Sequence, residues 1–101
     1  IDADALAALG PEGIVINIAR GDVIDEDALI AALSAGRIRA AGLDVYAQEP
    51  LIPPELRAME NVVLLPHLGT AADEVRTAMA LRALANLTAF AKGATLPDRV
   101  G

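Results

Sequence analysis

The spacing of hydrophobic positions predicts a chain that mixes short strands with helices. Apolar runs rich in β-branched residues predict three strands, at residues 14–18, 40–45 and 62–65. Between and after these runs, apolar residues spaced three and four apart predict helices. A strand followed by a crossover and another strand favours neighbouring parallel strands, so the pattern indicates an α/β fold with three parallel strands.

Capping residues place the ends of the predicted helices. Asp2 and Asp25 are candidate N-caps, the first for a helix over residues 3–9 and the second for a helix that stops at Gly36. A single helical turn is expected near residues 54–58, inside a loop rich in proline. Thr70 is the predicted cap of a long final helix, at about residues 71–92.

The long final helix has apolar residues around much of its circumference. They include Val75, Met79, Leu84, Leu87 and Phe90. A helix with so wide an apolar surface makes contacts on more than one face. We therefore expect another domain or a second subunit to pack against it.

Composition excludes several classes of protein. The 101 residues, 54% of them hydrophobic, are enough for one core. A net charge of −6 and only two aromatic residues argue against nucleic-acid binding. One histidine and no cysteine argue against a metal site, and charged residues interrupt every apolar run before it reaches a membrane-spanning length. We expect a cytoplasmic protein without a nucleic-acid or membrane partner.

Charged residues follow the predicted strands at their carboxyl ends. Arg20 follows the first strand, Asp44 lies at the end of the second, and His67 follows the third. Glu49 lies in the loop after the second strand. Because the carboxyl ends of parallel strands open on one edge of a sheet, we expect these four side chains at the same rim.

Arg20, Glu49 and His67 together predict a site for a small anionic substrate that undergoes proton transfer. A carboxylate behind an imidazole fixes its tautomer and favours its protonated form, which suits acid/base catalysis. A nearby guanidinium can hold a planar carboxylate through two parallel hydrogen bonds.

Each of these residues also has a structural interpretation, which the sequence leaves open. Arg20 and Glu49 can be solvated loop charges, and Gly21 can serve a tight turn. Asp44 can bond the backbone amides of its own loop, and His67 can be a structural histidine. A serine nucleophile is not expected, since Ser34 lies near a helix end, and no complete glycine-rich phosphate loop is present.

Three segments resemble a known family. "INIARGDVIDEDALIAAL", "AAGLDVYAQEP" and "VVLLPHLGTAADEVR" are similar to the three C-terminal signature segments of the D-isomer-specific 2-hydroxyacid dehydrogenases, especially glyoxylate/hydroxypyruvate reductases. The resemblance implies the second half of a doubly wound parallel, Rossmann-like sheet. It also implies NAD or NADP as cofactor, a small 2-oxo or 2-hydroxy acid as substrate, hydride transfer between the two, and a homodimer.

The resemblance also implies roles for individual residues. Arg20 would hold the carboxylate of the 2-oxo acid, Glu49 would orient the histidine, and His67 would protonate the keto oxygen. The nicotinamide side of the cofactor would be lined by Ile18, Ala19, Arg20, Asp44, His67, Leu68, Gly69 and Thr70.

Members of this family are much longer than 101 residues. The resemblance therefore implies that residues 1–70 are the C-terminal part of an NAD(P)-binding domain. Residues 71–101 would be a long helix and a tail that return toward a substrate domain outside this chain. We expect a fragment that is inactive alone. The alternatives are a non-catalytic, self-associating α/β module and a corepressor descended from such dehydrogenases.

Overall fold

The computed structural model describes residues 1–100. The chain divides into two compact units, one from Ile1 to Gly69 and one that begins at Thr70. The first unit contains the strands β1 (Ile14–Asn17), β2 (Ala40–Leu43) and β3 (Val62–Leu64), together with the helices α1 (Ala3–Leu9), α2 (Glu26–Ser34) and α3 (Pro54–Ala58) and a 3₁₀ turn at Gly21–Val23. The second unit contains α4 (Asp73–Ala91).

The three strands form one parallel sheet in the order β1-β2-β3. Val15 pairs with Ala41, which pairs in turn with Val62. The carboxyl ends of all three strands therefore lie at the same edge, and the prediction of neighbouring parallel strands is confirmed. β1 stops at Asn17 rather than at residue 18, because the Asn17 side chain accepts a hydrogen bond from the Ala19 amide in a local turn.

Two predicted N-caps are confirmed. The Asp2 carboxylate accepts a hydrogen bond from the Ala5 amide at 3.0 Å, and the Asp25 carboxylate accepts one from the Ala28 amide at 3.0 Å. Each bond satisfies one of the free amides in the first turn of a helix. After α2 the chain turns at Gly36, whose φ of 63° is a left-handed conformation that favours glycine.

A single core lies between one face of the sheet and the helices. Leu6 of α1, Leu29 of α2 and Leu56 of α3 are 1%, 2% and 0% exposed, so each of these helices buries a leucine in it. The cluster consists of Leu6, Val15, Ile24, Leu29, Ala32, Leu33, Ile38, Ala41, Leu43, Tyr46 and Leu56. All of these residues belong to the first unit.

The opposite face of the sheet is exposed in the described residues. Ile14, Ile16 and Ile18 are 53%, 66% and 74% exposed, and Val63 on β3 is exposed as well. The apolar, β-branched run at residues 14–18 indicated a buried strand, and the structure buries this strand on one face only. The apolar residues would suit a sheet covered on both faces, as parallel sheets usually are. The helices of this unit pack on only one face.

The second unit begins differently from the prediction. Ala72 is the N-cap of α4 and makes no side-chain capping bond, so the proposed Thr70 cap is wrong. Ala72 has extended backbone angles, with φ −113° and ψ 139°, and the helix therefore begins beyond Thr70. Asp73 and Glu74 place negative charge in the first turn, where it suits the helix dipole.

The tail that follows α4 folds back on this helix. The Arg82 guanidinium donates to the Asp98 carboxylate, and the Asn86 side-chain amide donates to the same carboxylate at 2.6 Å. The hydrogen bond from Arg82 lowers the pKa of Asp98, and the same bond raises the pKa of Arg82. None of the helices described in residues 1–100 has the length and apolar character needed to cross a membrane.

Candidate active site

Glu49 and His67 are in direct contact at the carboxyl edge of the sheet. Nδ1 of His67 lies 2.7 Å from Oε2 of Glu49. The other carboxylate oxygen of Glu49 accepts a hydrogen bond from the Tyr46 amide at 3.0 Å. Both oxygens of Glu49 are therefore engaged, and the carboxylate has a defined orientation toward the imidazole.

The environment of Glu49 favours its ionised form. The hydrogen bond with His67 is the largest cause that lowers the pKa of this carboxyl group, and the bond from the Tyr46 amide is the next largest. An ionised carboxylate only accepts hydrogen bonds, so Nδ1 of His67 must carry the proton between them. Nε2 is then the ring nitrogen that remains available to a ligand. The His67 side chain is 45% exposed, so a ligand can reach it.

Asp44 holds the backbone of the loop that carries His67. Its carboxylate accepts hydrogen bonds from the Leu68 amide at 2.7 Å and from the Gly69 amide at 2.8 Å. His67 itself has a φ of 56°, a left-handed conformation that is uncommon for residues other than glycine. Asp44 is 4% exposed, so this loop is tied to the sheet by a buried carboxylate.

Arg20 lies in the loop that follows β1, at the same edge. Its guanidinium donates a hydrogen bond to the Ala19 carbonyl at 2.6 Å and is otherwise exposed. Its positive charge is one of the smaller causes that lower the pKa of Glu49. The structure therefore brings a cation, a carboxylate and an imidazole to one rim of the sheet.

Gly21 packs against the loop that carries Glu49. A Cβ atom at this position would overlap the carbonyl carbon and oxygen of Tyr46 and would crowd the Ala47 amide. The sequence suggested that Gly21 serves a tight turn. Gly21 does begin the turn Gly21–Val23, and the structure adds a second reason for glycine, which is the close approach of two backbone segments, one carrying Arg20 and the other carrying Glu49.

Sequence reasoning missed Tyr46 and Asn17. The Tyr46 hydroxyl donates to the Leu65 carbonyl at 2.8 Å and lies 3.2 Å from the Leu43 carbonyl, so it bridges the ends of β2 and β3. Burial is the largest cause that raises the pKa of this hydroxyl. The sequence did offer a signal for Tyr46, because it is the only tyrosine and lies just beyond the end of a predicted strand.

A small cleft adjoins the contact between Glu49 and His67. Its volume is about 140 Å³, and it is lined by Tyr46, Glu49, Pro50, Ile52, Pro66 and His67. Ligand pockets usually measure about 300–1,000 Å³, so this cleft can hold only a small group.

The residues predicted to line a cofactor are divided between the two units. Ile18 and Leu68 are 74% and 50% exposed and border the rim that carries Arg20 and His67. Ala19 and Gly69 contribute backbone amides, which are bonded to Asn17 and Asp44. Thr70 is the first residue of the second unit, where its carbonyl accepts a hydrogen bond from Arg76.

Comparison with known proteins identifies the family. Residues 1–69 match the family described as "D-isomer specific 2-hydroxyacid dehydrogenase, NAD binding domain". The chain belongs to this family. The resemblance inferred from the three sequence segments is therefore confirmed, and so is the α/β class with parallel strands and a long C-terminal helix.

Individual 2-hydroxyacid dehydrogenases match nearly the whole chain. Glyoxylate/hydroxypyruvate reductase A of Arabidopsis thaliana is 49% identical over 96 residues, which cover 95% of this chain and 31% of that protein. Glyoxylate reductase of Pyrococcus furiosus is 47% identical over 100 residues, covering 99% of this chain and 30% of that protein. The chain thus spans less than a third of the length of these relatives.

A solved structure supports the same fold. The NADPH-dependent glyoxylate/hydroxypyruvate reductase of Sinorhizobium meliloti, in complex with NADP and malonate, superposes with a TM-score of 0.92 at 42% identity. The superposition covers 100% of this chain and 32% of the reductase.

The close approach at Gly21 leads to a prediction about stability. Gly21→Ala should lower the free energy of unfolding by about 1–3 kcal/mol, because the methyl group forces the Tyr46 backbone away. Urea denaturation of the protein measures this change. Gly36→Ala measures the other cost of replacing a glycine, because its φ of 63° disfavours alanine although no atom lies within 4 Å of its Cβ position. If Gly21→Ala leaves the unfolding free energy unchanged, the packing described here is wrong.

Proposed function

We propose that this chain is the C-terminal part of the cofactor-binding domain of an NAD(P)-dependent 2-hydroxyacid dehydrogenase, called the parent enzyme below. The parent enzyme would reduce a small 2-oxo acid of the glyoxylate or hydroxypyruvate type to the corresponding 2-hydroxy acid, in the D configuration where C2 is chiral. The observation that carries the proposal is the 2.7 Å contact between Glu49 and His67 at the edge where Arg20 also lies.

His67 is the proposed acid of the reaction. Glu49 engages Nδ1, which leaves Nε2 to give a proton to the keto oxygen of the substrate. The imidazole is 45% exposed, which supports access of a substrate to the ring. In the reverse direction the same nitrogen accepts the hydroxyl proton, so one residue serves oxidation and reduction.

Arg20 is the proposed binding residue for the substrate carboxylate. Its guanidinium has five N–H donors in a planar fork, and one terminal nitrogen bonds the Ala19 carbonyl. Donors on the other terminal nitrogen remain for a carboxylate. The positive charge of Arg20 also attracts an anion to an edge that otherwise carries the negative charges of Asp44 and Glu49.

The rim also suits a nicotinamide cofactor, either NAD or NADP. Ile18 and Leu68 expose apolar side chains that can cover a face of a planar ring, and both lie beside residues of the proposed catalytic site. Ala19, Asp44, Gly69 and Thr70 complete the proposed set of residues near the nicotinamide. The cofactor would supply the hydride that reduces C2 of the 2-oxo acid.

The two units would have different tasks in the parent enzyme. Residues 1–70 would belong to the NAD(P)-binding domain, and residues 71–101 would return toward a substrate domain. The match of residues 1–69 to the NAD-binding domain supports the first part. The division between Gly69 and Thr70 supports a boundary there. The many exposed apolar residues of α4, Phe90 at 76% among them, support its contact with further protein.

The pH dependence of the parent enzyme tests the proposed function. The pKa of Glu49 is lowered, so it is ionised throughout the neutral range and places a negative charge beside Nδ1 of His67. Glu49→Gln removes that charge, and the pH above which 2-oxo acid reduction declines should move to lower values. The measurement is kcat/KM for glyoxylate with NADPH or NADH as a function of pH.

A matched control for this experiment is Glu60→Gln. Glu60 is exposed and precedes β3, at the opposite edge of the sheet from Glu49. Its substitution removes the same charge and should leave the pH profile unchanged. If Glu49→Gln and Glu60→Gln give the same profile as the unmodified enzyme, the proposed pairing of Glu49 with His67 in catalysis is refuted.

A further inference from the structure

Apart from Tyr46, only two residues with polar side chains are buried in the described part of the chain, and both lie at strand ends beside the candidate site. They are Asn17 and Asp44, each 4% exposed. Asp44 bonds the loop that follows His67. Asn17 occupies the corresponding place at the end of β1, where it bonds the loop that carries Arg20.

Both ends of the Asn17 side-chain amide are used. Oδ1 accepts a hydrogen bond from the Ala19 amide at 3.1 Å, and Nδ2 donates one to the Arg20 carbonyl at 2.9 Å. The backbone carbonyl of Asn17 also accepts a hydrogen bond from the Asp44 amide at 2.9 Å. Asn17 therefore connects the Arg20 backbone directly to the sheet.

The hydrogen bond from Nδ2 of Asn17 is not needed to end a strand. An asparagine that only ends a strand in a local turn needs the acceptor at Oδ1, which takes the amide two residues later. The donor at Nδ2 instead reaches the carbonyl of Arg20, the residue that begins the Gly21–Val23 turn. This carbonyl also accepts the Val23 amide at 3.3 Å, so its position is held from two sides.

We propose that Asn17 is a positioning residue, which sets the Arg20 guanidinium for recognition of the substrate carboxylate. This inference rests on the proposed function, since it needs Arg20 to bind that carboxylate. Buried hydrogen bonds fix a backbone because the broken bond would leave an unsatisfied polar group. A small displacement of a binding residue is costly, since binding and catalysis depend on its alignment with the substrate.

The test uses Asn17→Ser in the parent enzyme. Serine keeps an acceptor for the Ala19 amide but is too short to donate to the Arg20 carbonyl. We expect kcat/KM for glyoxylate to fall about 10- to 100-fold, as for a misplaced substrate-binding group. The kcat/KM for ethyl glyoxylate, which has the same carbonyl but no carboxylate, should fall far less. A merely structural role would lower the activity toward both compounds equally.

A control and a second variant separate positioning from folding. Asn61→Ser is the control. Nδ2 of Asn61 donates to the Arg39 carbonyl at 3.2 Å, so this variant also loses a bond from an asparagine to an arginine carbonyl, but at the amino edge of the sheet. Asn61→Ser should leave both activities unchanged. Asn17→Thr keeps an uncharged acceptor for the Ala19 amide and suits a strand, and it serves in the same comparison if Asn17→Ser does not fold.

A double-mutant cycle completes the experiment. In an Arg20→Ala background, Asn17→Ser should cause no further loss with glyoxylate, because the two residues act through one interaction. Equal losses with the acid and its ester, or full additivity with Arg20→Ala, would overturn the role of Asn17 and leave the proposed function intact. An unmodified parent enzyme that reduces no 2-oxo acid would overturn the proposed function itself, and this inference with it.

Discussion

Replacement of His67 by alanine should lower kcat for glyoxylate reduction in the parent enzyme by about 10²–10⁴-fold, as expected for loss of a positioned general acid. The physical reason is the arrangement at Nδ1, where the ionised Glu49 holds the ring at 2.7 Å and leaves Nε2 for the substrate. Steady-state kinetics at saturating cofactor measures the effect.

A second variant shows whether the loss comes from chemistry or from the backbone. His67 has a φ of 56°, a conformation that asparagine tolerates better than most residues. His67→Asn should therefore retain the loop and the thermal transition of the enzyme, yet lose activity as His67→Ala does. Activity near the level of the unmodified enzyme in both variants would rule out His67 as the acid.

Arg20→Ala is expected to have the other large effect. Without the guanidinium the proposed charged contact with the substrate carboxylate is lost, and kcat/KM for glyoxylate should fall by about 10²–10³-fold. Most of this loss should be in KM for the 2-oxo acid. The KM for the nicotinamide cofactor should change much less, and both values come from the same initial-rate experiment.

Arg39 provides the control for a general effect of charge. It precedes β2 at the opposite edge of the sheet, where its exposed guanidinium lies 3.6 Å from Glu12. Arg39→Ala removes the same charge and should leave kcat/KM unchanged. The kcat/KM of Arg20→Lys should lie between those of the unmodified enzyme and Arg20→Ala, because lysine keeps the charge but lacks the planar fork. Equal kinetics for Arg20→Ala and Arg39→Ala would contradict the role of Arg20.

The rim contains two kinds of residue, exposed side chains on loops and buried polar side chains at strand ends. Arg20 and His67 lie on loops, where a side chain can reach a ligand. Loops are less rigid than strands, and two buried polar side chains at strand ends hold these loops through backbone hydrogen bonds. If the proposed roles hold, the precision of the site comes from Asn17 and Asp44 and its chemistry from the exposed residues.

Local signals in the sequence determined most of the secondary structure. The caps at Asp2 and Asp25, the strands near residues 14–18, 40–45 and 62–65, and the parallel order all follow from side-chain chemistry and spacing within a few residues. The parallel order then placed Arg20, Asp44 and His67 at one edge, because their positions relative to strand ends can be read directly from the chain.

Tertiary structure alone decided how the loops at that edge meet. The family resemblance implied that Glu49 orients His67, but no local pattern in the sequence shows that the two side chains touch. The approach of Gly21 to the Tyr46 backbone joins residues far apart in the chain and could not be read from spacing at all. The sequence also could not predict that one face of β1 is exposed, because the same apolar residues suit a sheet covered on one face or on both. Side-chain chemistry specifies where elements begin and end, whereas loop contacts depend on the packing of the whole unit.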